Sequence, residues 1–152
     1  MGSEDSANLN QTAQPFLLEL YTDLKERASG LLKLTQALLS ALPTNSPKFE
    51  GDLYLQRVLT SCEKLLVVIE QVFGANEIET SGLNLGKLRH DTGNPLNQII
   101  GYSEMLQEEA DAQKQVERSL ALQQIQTQAH SLLSVINDLL DSGQANQDFI
   151  GG

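Results

Sequence analysis

Tryptophan is absent from this sequence, and a single cysteine, Cys62, excludes any intramolecular disulfide. Aromatic residues make up only 5%, and the apolar set is mostly leucine among many Gln, Ala and Glu, a mixture that favours helices over sheets. Basic residues are scarce: 10 Lys and Arg stand against 20 Asp and Glu, for a net charge of −10 and a pI near 4.5. That balance argues against nucleic acid or an anionic membrane surface as the main partner. No apolar run approaches the ~20 residues that a membrane helix needs. Residues 1–13 are polar and acidic, so no signal peptide is visible and a soluble, cytoplasmic protein is expected.

Site chemistry is equally sparse. The two histidines, His90 and His130, are forty residues apart, and no Cys/His cluster has zinc-ligand spacing. Gly82 and Gly86 are isolated and form no phosphate-cradling loop. The acidic cluster Glu104, Glu108, Glu109 and Asp111 lacks calcium-loop spacing and reads as a solvated helix end. Nothing resembles a serine or cysteine nucleophile arrangement. No cofactor and no metal are therefore expected.

What is present is periodicity. The length, 152 residues, suits one ordinary domain. Residues 1–13 read as disordered. A first helix is expected from about Gln14, with Pro15 in its opening turn, to Leu42. Its seam of Leu17, Tyr21, Leu24, Ala28, Leu31, Thr35, Leu38 and Leu42 alternates steps of four and three. Pro43 to Pro47 is a loop by composition. A second helix, about Asp52 to Phe73, carries Leu55, Val58, Cys62, Leu65, Ile69 and Val72 in the same register. Cys62 thereby reads as a small buried hydrophobe. The run Leu65 to Ile69 is apolar almost all round, so both faces are expected to be buried.

Residues 14–74 thus form an N-terminal hairpin and 75–82 a connector, with Gly74 suited to cap the second helix. A second hairpin spans 83–141, and 142–152 is a flexible tail. The fourth helix, about Lys114 to Asp141, repeats Leu122, Ile125, Ala129, Leu132, Ile136 and Leu139. An all-α, four-helix chain with coiled-coil-like packing follows. Leu133 and Leu140 widen the apolar face of the fourth helix beyond what two helices cover. A homodimer through the C-terminal hairpin, giving an intermolecular four-helix bundle, is therefore expected; the rival is that the two N-terminal helices fold back and close a monomeric bundle.

The third helix, about Leu83 to Ala112, holds the most informative stretch. Pro95 lies inside it and removes the hydrogen bond to the Asp91 carbonyl, yet the apolar register continues through Leu88, Thr92, Leu96 and Ile99. One kinked helix is expected rather than two. In projection His90, Asn94, Asn97, Gly101, Glu104 and Glu108 share the polar stripe opposite that register. His90 should face solvent or a partner. A neutral imidazole is a competent nucleophile near pH 7, and the neighbouring carboxylate, Asp91, can hold one ring nitrogen while the other attacks phosphorus. His130 neighbours core position Ala129, has no motif around it, and reads as a flanking surface residue.

The run His90-Asp91-Thr92-Gly93-Asn94-Pro95-Leu96-Asn97-Gln98-Ile99-Ile100-Gly101-Tyr102-Ser103-Glu104-Met105-Leu106 resembles the phosphoacceptor box of sensor histidine kinases. Leu132 to Asp141 resembles the end of that family's second helix. The resemblance covers roughly Leu83 to Asp141, the dimerisation and histidine-phosphotransfer hairpin. At Thr92 and Gly93 the family commonly has Leu-Arg. The resemblance implies His90 as phosphoacceptor, Asp91 as its orienting carboxylate and Asn94 as the residue that positions a hydrolytic water. A receiver domain would dock over Asn97, Gly101 and Glu104. It also implies an ATP-binding domain after the hairpin. The sequence ends eleven residues after Asp141, so autophosphorylation by this chain alone is not expected and a separate ATP-binding domain is a possible partner. The alternative is a silent scaffold that dimerises and transmits signals in a larger bacterial protein with receiver, cyclase or phosphatase output.

Overall fold

The computed structural model describes residues 2–41, 50–74 and 85–151, with side chains placed over 18–41, 53–74 and 86–139. Among the described residues there are four helices: α1 (Gly2–Ser40), α2 (Glu50–Val72), α3 (Leu85–Ala112) and α4 (Val116–Gly151). α3 runs through Pro95 as one helix, as the unbroken apolar register requires. α1 begins at Gly2 rather than near Gln14, and α4 continues past Asp141 to Gly151. The segments expected to be unstructured, 1–13 and 142–152, are thus helical from 2 and as far as 151. Extending a helix that packing has already nucleated is cheap per residue, and Pro15, expected in the opening turn, lies inside α1 instead. The expected loop at 43–47 and connector at 75–82 lie outside the described residues.

The helices form a ring in which α1 packs on α2, α2 on α3, α3 on α4 and α4 on α1. Tyr21 reaches Glu70, and Thr35 lies 3.8 Å from Cys62, so α1 and α2 run antiparallel. Ser61 meets Gln98 at 2.9 Å and Arg57 meets Tyr102 at 3.2 Å, which sets α2 antiparallel to α3. One apolar core threads all four helices. Leu24, Ala28 and Leu31 come from α1, and the whole expected seam of α2 joins them, from Leu55 through Cys62 to Val72. From the C-terminal hairpin come Leu88, Leu96, Ile99, Leu106, Leu122, Ile125, Leu132 and Ile136, each no more than 2% exposed. The face expected to pair with a second copy is filled here by the chain's own N-terminal hairpin. A dimer is not shown by the single chain.

One part of the α2 expectation needs correcting. Leu65 and Ile69 are buried, but Val67 between them is 53% exposed, because it falls on the side of α2 that faces neither α1 nor the core. The α3–α4 connection is tight and defined. Gln115 N–H donates to the Ala110 carbonyl at 2.8 Å and Lys114 N–H to the Asp111 carbonyl at 3.1 Å, with Lys114 at φ 58° in the left-handed region. That pair of bonds is a Schellman ending, with lysine where glycine is commonest. Polar side chains that enter the core are satisfied locally. Thr35 donates to the Leu31 carbonyl at 2.8 Å and Ser103 to the Ile100 carbonyl at 2.9 Å.

Two predictions follow from this core. Ile99→Glu or Ile136→Glu places an unpaired carboxylate in a fully apolar layer and should cost upwards of about 3 kcal/mol in urea denaturation, whereas Leu120→Glu, at a 59% exposed site, should fall within about 0.5 kcal/mol. The second concerns pH. Burial pushes the Cys62 thiol up to about 11 from an ordinary 9.0. The neutral thiol is the form that folding favours, so this contribution is complete below pH 9 and is lost as pH rises from 9 toward 11, while the unfolded chain ionises first. Stability measured from pH 8 to 11 should fall faster in the native protein than in Cys62→Ala, and Cys62 should resist thiol reagents until the chain opens.

Candidate functional site

α3 has its rotational setting decided by packing. Leu88, Thr92, Leu96, Ile99 and Ser103 face the core, all at 1% exposure or less, and the opposite side of the helix is left to solvent. His90 falls on that opposite side, with its side chain 85% exposed. Asn94, Asn97, Gly101 and Glu104 are exposed on the same stripe, as expected from the sequence. His130 is also exposed.

The imidazole is held by its neighbour. His90 Nδ1 lies 3.0 Å from Asp91 Oδ1, and Asp91 is less open to solvent, at 33%. A carboxylate only accepts, so Nδ1 must carry the hydrogen and donate it to Asp91. That tautomer leaves the Nε2 lone pair free, on the outer face of the helix. The carboxylate also opposes the positive charge that develops on the ring when Nε2 bonds to an electrophile. Pro95, buried on the core side, deprives the Asp91 carbonyl of its usual helical donor.

Thr92 and Gly93 have simple local explanations. Thr92 is fully buried in the core register where leucine would sit, and its hydroxyl donates to the Leu88 carbonyl one turn back. Its methyl meets the core and its one polar atom is satisfied. At Gly93 an added Cβ would meet nothing within 4 Å, so alanine fits there without displacing a neighbour. At Gly101 the space is equally open, so a partner's surface approaches the backbone there unobstructed.

One feature beside the motif was not read from the sequence. Tyr54 of α2 and Tyr102 of α3 stack with ring centroids 5.4 Å apart, and the Arg57 guanidinium lies 5.9 Å and 5.7 Å from the two ring centres. Tyr102 belongs to the motif, but only the pairing of α2 with α3 brings its partners to it. The spacing of Tyr54 and Arg57, one turn apart, was the available signal.

The hairpin of α3 and α4 thus carries on its outer face an exposed histidine, clamped through Nδ1 by the next residue. Residues 83–148 match the family model described as His Kinase A (phospho-acceptor) domain, and this hairpin is a HisKA domain. No match to an ATP-binding domain accompanies it in the 152 residues. No curated protein and no solved structure matches the chain. Among the described residues, no helix is long and apolar enough to cross a membrane.

His90 is set by the stripe opposite it and adds nothing to the core. His90→Gln should therefore leave the urea midpoint within about 0.5 kcal/mol of the native value. Thr92→Asp, two residues on, should cost upwards of about 3 kcal/mol, since it buries a carboxylate. Equal losses at both positions would mean that α3 is rotated from the setting described.

Proposed function

We propose that the chain is a phosphotransfer module of a bacterial, cytoplasmic two-component system, with His90 accepting a phosphoryl group and passing it to a receiver-domain aspartate. The observation that carries this reading is the His90 Nδ1–Asp91 contact at 3.0 Å on an otherwise exposed ring, inside a HisKA domain. In the forward step the Nε2 lone pair forms a bond to phosphorus. The bond from phosphorus to the leaving oxygen breaks, and that oxygen departs with its electron pair on the nucleotide or the donor carboxylate. Nδ1 keeps its proton and donates it to Asp91, whose carboxylate stabilises the cationic phosphoimidazole. In the onward step a receiver carboxylate displaces Nε2, and the ring returns to its neutral form.

Asn94 stands one helical turn beyond His90 on the same stripe. Its amide both donates and accepts, which suits it to orient a water attacking the receiver's acyl phosphate. The receiver docks over Asn97, Gly101 and Glu104, whose open side favours close approach. Phosphate enters from a separate ATP-binding domain or from a phosphorylated receiver. The competing reading is a silent scaffold, and the departures at Thr92 and Gly93 give it no particular support, since both residues fit their positions in the helix.

Incubation with a kinase ATP-binding domain and ATP, or with a phosphorylated receiver, should place acid-labile, base-stable phosphate on His90. His90→Gln should abolish the label. Asp91→Asn should slow uptake by about 10²–10⁴-fold if ring orientation contributes as positioned acid–base groups usually do. Asn94→Ala should spare uptake and slow loss of phosphate from the receiver. Label that persists in His90→Gln, or that fails to appear with any of several donors, supports the scaffold instead.

A further inference from the structure

HisKA domains typically dimerise. In this chain the corresponding apolar face is already covered. Leu96, Ile99, Leu122, Ile125 and Leu132 are fully buried in the core that α3 and α4 share with α1 and α2 of the same chain. The contacts that seat the two hairpins on each other are directional as well as apolar. Arg57 of α2 donates to the Tyr102 hydroxyl, Ser61 donates to Gln98 at 2.9 Å, and Arg27 of α1 donates to Ser131 of α4 at 2.8 Å. Gly30 of α1 lets the helices close where Gln128 of α4 stands, 3.3 Å from where a Cβ would be. A second C-terminal hairpin would offer none of these N-terminal partners.

Among the described residues, what remains outside is no second seam. The large apolar side chains left exposed among the described residues (Leu18, Leu53, Val67, Met105, Val116 and Leu120) are spread over all four helices. A standard dimer would bury about 800 Å² per partner in one contiguous patch.

We propose that the N-terminal hairpin stands in, within one chain, for the second copy, and that α2 thereby becomes half of the surface a receiver meets at His90. The second part rests on the phosphotransfer reading; the first does not. The pairs Arg57–Tyr102 and Ser61–Gln98 step four residues up α2 for four back along α3. Continued one and two turns, that register sets residues 64–68 of α2 beside residues 91–95 of α3, next to His90. Two exposed side chains of α2 fall there. Val67 is an apolar residue in a solvent position, and Lys64 is a cation in a chain of net charge −10. Arg89 adds a second exposed cation beside the histidine. The acidic Glu108 and Glu109 lie beyond that docking stripe, at the other end of α3. A receiver's phosphoacceptor pocket is built of carboxylates around the reacting aspartate, so it meets opposite charge at the His90 end and like charge at the far end.

The test has two arms on the full chain. Sedimentation equilibrium at tens of micromolar should return the monomer mass of 16.6 kDa, and a dimer mass overturns the stand-in. Transfer between receiver and His90 is then timed in Lys64→Glu and Val67→Asp, with Glu63→Lys, on the other exposed flank of α2, as control. The first two should slow transfer severalfold by raising the half-saturating receiver concentration, with the maximal rate little changed and the circular dichroism melt unaltered. Native-like transfer in both variants overturns the α2 flank while leaving the monomer intact. A monomer that takes no phosphate even in the native sequence overturns both the phosphotransfer reading and the flank, and leaves the intrachain pairing standing.

Discussion

Leu88, Thr92, Leu96, Ile99 and Ser103 lock α3 into the bundle along a single stripe, and that packing decides where the imidazole points. A helix rotated by one residue would carry His90 about 100° around its axis, toward a neighbouring helix. Burying several large apolar side chains at roughly 1.5–3 kcal/mol each makes such a rotation prohibitive. Asp91 can therefore reach the ring from an adjacent position, and the free nitrogen faces outward, with no dedicated pocket. Thr92 shows how strict the stripe is. A polar residue occupies a core position there only because its hydroxyl returns to the Leu88 carbonyl.

The bundle divides its labour between two hairpins. The C-terminal one carries the phosphoacceptor box and the Schellman turn that joins α3 to α4. The N-terminal one supplies the opposing half of the core and the polar contacts that seat it: Arg57 between Tyr54 and Tyr102, Ser61 on Gln98, and Arg27 on Ser131. At the His90 end, Tyr21 and Lys25 of α1 clip Glu70 of α2. The Glu70 carboxyl is held below its ordinary range by the Tyr21 hydroxyl and then by Lys25. These groups are exposed, so the clip aligns the helix ends more than it stabilises them.

Much of this was legible in the sequence, and the reason is geometric. Heptad spacing encodes which side of a helix is buried, so the seam of α2 and the stripe of α3 could be read residue by residue. The outward placement of His90, Asn94, Asn97, Gly101 and Glu104 followed from the same periodicity. Periodicity does not encode which helices are neighbours. An apolar seam on the C-terminal hairpin is satisfied equally by a second copy or by the chain's own first hairpin, and only the pairing of α2 with α3 brings Tyr54 to Tyr102. The Leu65 to Ile69 run misled for a related reason: five apolar residues in a row leave a helix face undecided until its neighbours are known. Helix ends were the other weak point, since a packed segment carries polar flanks into helix at little cost.

The nitrogen that reacts is the point on which this account turns. Long-range ¹H–¹⁵N correlation of the His90 ring reports directly which nitrogen bears the hydrogen, before and after phosphorylation. The neutral ring should be protonated at Nδ1, with the phosphoryl group then appearing on Nε2. A ring protonated at Nε2, or phosphate on Nδ1, would contradict it.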